Sequence, residues 1–175
     1  MNTAVRPAVP FETLVTRASS SSPVDTYAEP TGRADRSTLL QIEIDVPTSW
    51  IAAPPWPHPL RSLLPHPVLS FDSPDRLRHV DAGPIEDPLT LDSLLNQVAK
   101  LGGIEAGLLP EVRLHPLGEM LRIDTVSPFG VTGAVTVEGA GQFLIICASK
   151  TDDDFDALEL FDHMITSFTI VRLRP

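Results

Sequence analysis

A chain of 175 residues in which 42 % are hydrophobic can hold one domain of ordinary size with a real core, plus a tail. Its formal net charge of -10 argues against nucleic acid and anionic membrane as partners, since both demand a basic footprint. The single cysteine, Cys147, excludes an internal disulfide and a thiolate zinc cluster, and no apolar run reaches the ~18 residues of a membrane-spanning helix.

Residues 1–38 balance four Arg against four acids and include "SSSSP", scattered prolines and little hydrophobic periodicity. They read as a flexible or disordered leader, with one short amphipathic turn around Phe11, Leu14 and Val15. Pro7 and Pro10 interrupt any signal-peptide core, so a cytoplasmic location is expected. A single folded domain is expected over 39–175.

That domain opens on "LLQIEIDVP", where Leu40, Ile42, Ile44 and Val46 alternate with polar residues as in a half-buried strand ended by Pro47. Next comes "TSWIAAPPWPHPLRSLLPHP". Prolines at 54, 55, 57, 59, 65 and 67 forbid regular helix or central strand over 51–67. This loop carries Trp56, Leu60, Leu63 and Leu64, the candidate contact residues for a protein partner. A stiff loop with exposed aromatics loses little entropy on binding. The competing reading is an apolar lid folded over one sheet face. Trp50 reads as core.

"PVLSFDSP" and "DRLRHVDA" are short strand candidates. "TLDSLLNQVAKLGG" reads as a helix capped by Thr90, with Leu91, Leu94, Leu95 and Val98 on one side and Gly102 as its stop. The segments "EVRLHP", "EMLRIDTVS", "GAVTVEG" and "QFLIICAS" read as strands, with "EGAGQ" as a hairpin turn. "LIIC" lacks polar alternation, which marks a central strand covered on both faces and makes Cys147 a buried hydrophobe.

In "TDDDFDALELFDHMITSF" the residues Phe155, Leu158, Phe161, Met164 or Ile165, and Phe168 recur at helical spacing. Thr151 or Asp152 is the expected N-cap, and the acids are expected on the wet side of the helix start, where its dipole welcomes them. A last strand, "FTIVRLR", is expected to return to a sheet edge.

No catalytic or metal-binding motif emerges. The histidines at 58, 66, 79, 115 and 163 form no HExxH or facial-triad pattern. "DDDFD" lacks the glycine and closing glutamate of a calcium loop, and no serine sits in a GxSxG elbow. No catalytic residue, metal or cofactor is therefore expected.

The order of elements resembles the PsbP-like α/β/α sandwich, and especially the LpqN/LpqT-type actinobacterial proteins. The likeness is carried by "IDVPTSW", by the "TLDSLLNQVAKLGG" helix and by "FLIICASKTDDDFDALELFDHMITSF", and spans about residues 38–172. It implies an α+β fold, an antiparallel β-sheet flanked by helices, used as a binding scaffold. Members serve as extrinsic photosystem subunits, as an import factor and as effector-loading chaperones. LpqN-type members are typically exported lipoproteins, whereas this sequence shows neither signal nor lipidated cysteine, a departure from which a cytoplasmic form is expected.

The reading that follows is a non-catalytic protein-binding accessory or chaperone-like module. One rival is a small cavity-type enzyme, a cyclase or isomerase, in which Asp72, His79, Asp124 or Cys147 projects inward. Another is an immunity or secretion-associated protein that meets a basic partner through its acidic helix.

Overall fold

The computed structural model describes residues 15–24, 38–100, 110–126, 129–152 and 154–173. The chain is α+β: an antiparallel seven-stranded sheet and a three-stranded one, with helices packed against them.

The small sheet comprises β1 (Val15–Val24), β2 (Thr38–Pro47) and β10 (Thr169–Leu173), in the order β1-β2-β10. The large sheet is built from β3 (Ile51–Ala52), β4 (Leu69–Asp72), β5 (Arg78–Ile85), β6 (Glu111–His115), β7 (Gly118–Val126), β8 (Phe129–Val137) and β9 (Gly141–Ser149). Its order is β3-β4-β5-β9-β8-β7-β6, every neighbouring pair antiparallel.

β1 corrects the leader reading for its own ten residues, which pair with β2 from Val15↔Pro47 to Val24↔Thr38. Hydrophobic alternation detects strands with a buried face, whereas pairing along a sheet edge is carried by backbone groups alone. The rest of the expected leader, 1–14 and 25–37, lies outside the described residues. So do Gly102 and the remainder of 101–109.

The large sheet has a core on each face. On one side Ile42, Ile44 and Val46 of β2 pack with Val80, Val131, Val135, Phe143, Ile145 and Cys147 of the large sheet. Trp50 joins this core, as expected. The helix α2 (Leu158–Ser167) lies between β2 and β8 and buries Phe161, Met164 and Ile165 there. Gly133 makes its seat: a Cβ at that position would stand 3.0 Å from Met120 Sδ and 3.1 Å from Ile165 Cγ2.

On the other side Leu121, Ile123, Ala134, Leu144 and Ile146 pack with Leu94 of α1 (Leu91–Lys100) and with Leu60 and Leu64. Thr90 caps α1, its Oγ1 accepting from the Ser93 amide at 3.1 Å. β9 lies at the centre of the large sheet, and Gln142–Ser149 are buried throughout. Among the described residues no helix is long and apolar enough to cross a membrane.

The acidic segment departs from expectation. α2 begins at Leu158 after a 3-10 turn at Phe155–Ala157, so neither Thr151 nor Asp152 is its N-cap. Asp152, Asp156 and Glu159 are exposed, as expected of a wet side. Two other acids are not simply solvated. Asp154 accepts both prongs of Arg78 at 2.7 and 2.7 Å and the Ser149 hydroxyl at 2.7 Å. Asp162 bonds the buried Arg122, which also reaches Asp124 at 2.7 Å.

Candidate functional site: a polar cluster under a proline loop

The site begins with two short sequences of alternating character, "SFD" in β4 and "HVD" in β5. Register sets Asp72 opposite His79 and Ser70 opposite Asp81, so all four side chains share one face. Val80, between His79 and Asp81, belongs to the opposite core.

Alternation of this kind ordinarily marks a wet face, yet here it is covered. Asp72, His79 and Asp81 are buried. The cover is the 51–67 loop, which turns through a 3-10 segment at Pro59–Leu63. His58 caps that turn, its Nδ1 accepting from the Leu60 amide at 3.0 Å. Arg61 fastens the loop, donating to Trp56 O at 2.9 and 3.0 Å and to Leu64 O at 3.1 Å while pairing with Asp81.

The loop thus acts as the lid of the competing reading. Leu60 and Leu64 are 2 % and 0 % exposed in the core beneath it, and Leu63 packs half-buried against that core. Their expected role as contact residues is corrected for Leu60 and Leu64. A 3-10 turn with one apolar side drives them inward, and the prolines fix the turn's approach instead of holding it off the sheet.

Trp56 has a different setting. Its ring stacks on His79 with centroids 4.7 Å apart and planes inclined by 15°. The Lys150 ammonium stands 4.2 Å from the centroid of the same indole. Trp56, Pro57, His58, Ala148, Ser149 and Lys150 line a cavity of about 260 Å³.

Beneath the indole, His79 lies between two carboxylates: Nδ1 is 2.5 Å from Asp72 Oδ1 and Nε2 is 2.9 Å from Asp81 Oδ2. Both ring nitrogens are therefore engaged by carboxylate oxygens. Ser70 Oγ donates to Asp81 Oδ1 at 2.6 Å. Burial pushes the Asp81 carboxyl up, but hydrogen bonds from His79, Ser70 and Arg61 outweigh it and hold Asp81 below the usual carboxylate range. Burial, assisted by the nearby Arg61 charge, lowers His58 to about 4.

Ser70, His79 and Asp72 have the connectivity of a nucleophile, base and orienting acid, with Ser70 Oγ 3.4 Å from His79 Nε2. Asp81 defeats that use. Its two oxygens take the Ser70 hydroxyl and the His79 Nε2, so the serine proton is directed to Asp81 and not to the ring. Trp56 closes the ring face from above. The cluster is built to hold a lid.

Of the residues expected to project inward, Asp72 and His79 are brought together. Asp124 lies elsewhere, paired with Arg122. Cys147 sits in the α2-side core, where burial pushes its thiol up. Sequence reasoning passed over Ser70, Arg61, Asp81 and Lys150. The recurrence of polar residues at i and i+2 in two neighbouring strands was the available signal for Ser70 and Asp81.

Comparison with known proteins finds no matching family model and no matching curated protein. Among solved structures the chain is similar to the solution structure of cyanobacterial PsbP (CyanoP) from Synechocystis sp. PCC 6803. The identity is 18 % and the TM-score 0.49, with 90 % of this chain and 93 % of that chain covered.

Proposed function

We propose that this chain is a non-catalytic accessory or chaperone-like module of the PsbP-like, LpqN/LpqT type, and that it holds a protein partner at the Trp56 cavity. The observation that carries the reading is the indole, stacked on the His79 ring and contacted by the Lys150 ammonium, beside about 260 Å³ of space. Such a volume is below that of drug-sized pockets and suits one side chain of a partner. An aromatic already locked in place loses little freedom when a partner arrives, which is the property of an interface hot spot.

The non-catalytic half of the reading is supported by saturation. His79, Ser70 and Asp81 satisfy one another, and the ring is stacked under Trp56, so this cluster offers the cavity neither a base nor a nucleophile. A cavity-type enzyme would need such a group in hydrogen-bond reach of a substrate.

The test is affinity capture from the native host with the full chain. Trp56→Ala and, independently, the exposed Lys150→Glu should each deplete the same stoichiometric protein while leaving circular dichroism intact. Retention of that protein by both variants would remove the cavity from the interface. Loss only on reversing Asp156 and Glu159 to lysine would move the contact to the acidic segment, as the secretion-associated alternative requires.

A further inference from the structure

The large sheet ends in β6, which pairs with β7 on one side and with no described strand on the other. An open edge is a template for another strand, and proteins usually blunt it with charge, brevity or cover. On one face β6 is not blunted: Leu114 is 95 % exposed and Val112 is 53 % exposed. Val112 lies beside Leu121 and Leu114 beside Glu119, so both project on the lid side of the sheet.

The hairpin determines which backbone groups of β6 are free. Its two-residue turn, Pro116–Leu117, closes on the pair His115↔Gly118. In such a turn the closing pair exchanges hydrogen bonds, and bonded and non-bonded pairs then alternate along the ladder. Glu111, Arg113 and His115 therefore bond toward β7. The N–H and C=O groups of Val112 and Leu114 point away from the sheet.

We propose that β6 is a self-association edge, where a second copy of this chain pairs antiparallel with Val112 opposite Leu114 and Arg113 opposite its own counterpart. The flanking prolines select this register. Centring the two-fold axis on Val112 would set Leu114 against Pro110, and centring it on Leu114 would set Val112 against Pro116. Each alternative loses a donor, because proline has no N–H. Centring on Arg113 pairs every outward N–H and C=O of both copies.

Side chains agree with that register. On the lid side, Val112 and Leu114 of each copy cover those of the other. On the far side Arg113 is ion-paired with Glu111 of its own strand. Each Glu111 then lies diagonal to the second copy's Arg113, within reach of long side chains. The facing arginines are thereby neutralised in pairs. The contact is small, so the dimer is weak and reversible.

Sedimentation equilibrium of the full chain from micromolar to millimolar concentration should show a reversible dimer. Leu114→Glu should weaken it by about tenfold or more, the equivalent of one lost apolar contact, with an unchanged melting temperature. A covalent test is independent of affinity. In the non-bonded pair at the axis the two Cα atoms lie about 4.5 Å apart, within disulfide reach, so Arg113→Cys should cross-link to itself under mild oxidant. Glu111→Cys, set opposite His115, should not, and buried Cys147 does not compete. A monomer throughout, a dimer indifferent to Leu114→Glu, or equal cross-linking at 111 and 113 would overturn the proposal. A monomer that adds a strand from another protein to this edge would overturn it as well.

Discussion

Asp81 takes hydrogen bonds from three side chains at once, His79, Ser70 and Arg61, and so joins two strands to the loop above them. Asp81→Asn keeps the shape but removes the charge, leaving Arg61 facing a neutral amide inside the protein. Breaking one partner out of a buried pair costs about 3–5 kcal/mol, and urea unfolding at neutral pH should show a loss of that order. His58 supplies a pH-dependent effect of its own. Its folded value of about 4 lies below the ordinary 6.5, so between those values the unfolded chain binds a proton that the folded chain refuses. Stability from this residue is complete above pH 6.5 and is lost as pH falls toward 4. His58→Asn, which keeps a side-chain acceptor for the Leu60 amide, should flatten the stability profile in that window and nowhere else. An unchanged slope between wild type and variant would show that His58 takes up its proton without disturbing the fold.

At the scale of elements, α2 shows how far periodicity reaches. The spacing of Phe161, Met164 and Ile165 marks a buried stripe, and all three are at most 1 % exposed. Phe155 fits the same spacing but precedes the helix, 65 % exposed, with its ring edge-on to Phe129 at 5.5 Å between centroids. Phe161→Ala should therefore cost about 3–5 kcal/mol in denaturant unfolding, whereas Phe155→Ala should cost no more than about 1.5 kcal/mol, the worth of an aromatic pair. Equal losses would mean that the 3-10 turn is as integral to the core as the helix. The helix start was not legible because Arg78, distant in sequence, claims Asp154 and decides where the chain turns. A pattern of neighbours carries no record of such a tie. Strands fared better where one or both faces are buried: β2, β7, β8 and β9 follow from alternation or unbroken apolarity. β1 did not, since nothing in "SSSS" distinguishes pairing from disorder. In the candidate site, Trp56 stood out by its proline setting, and Asp72 and His79 were visible as polar residues able to turn inward. Their union with Asp81 and Arg61 was not, because a lid contributed by an earlier loop turns a seemingly wet strand face dry.

Across the whole molecule, one sheet carries two cores of unlike construction. The α2 side is closed by a helix and by the three-stranded sheet, with large apolar side chains from both. The lid side is closed by α1 and by a loop whose attachment depends on Leu60, Leu64 and the Arg61–Asp81 pair. Regions held by few apolar contacts open locally at less free energy than the global unfolding of a central strand. The lid should accordingly open as a unit while β9 stays closed. Its reporters are the amides of Leu60, Arg61 and Leu64, bonded to His58 Nδ1, His58 O and Arg61 O at 3.0, 2.9 and 3.1 Å, since the surrounding prolines carry none. Native-state hydrogen exchange should find these three less protected than Leu144–Cys147. Arg61→Ala removes the fastening to Asp81, to Trp56 O and to Leu64 O, so it should lower lid protection further, with the lid amides still less protected than those of β9. The same variant should loosen the stack of Trp56 on His79, which the indole fluorescence would report as a move toward water. Exchange of lid and β9 amides at one common rate, in wild type and variant alike, would mean that the two cores unfold together and that the lid is no separate unit.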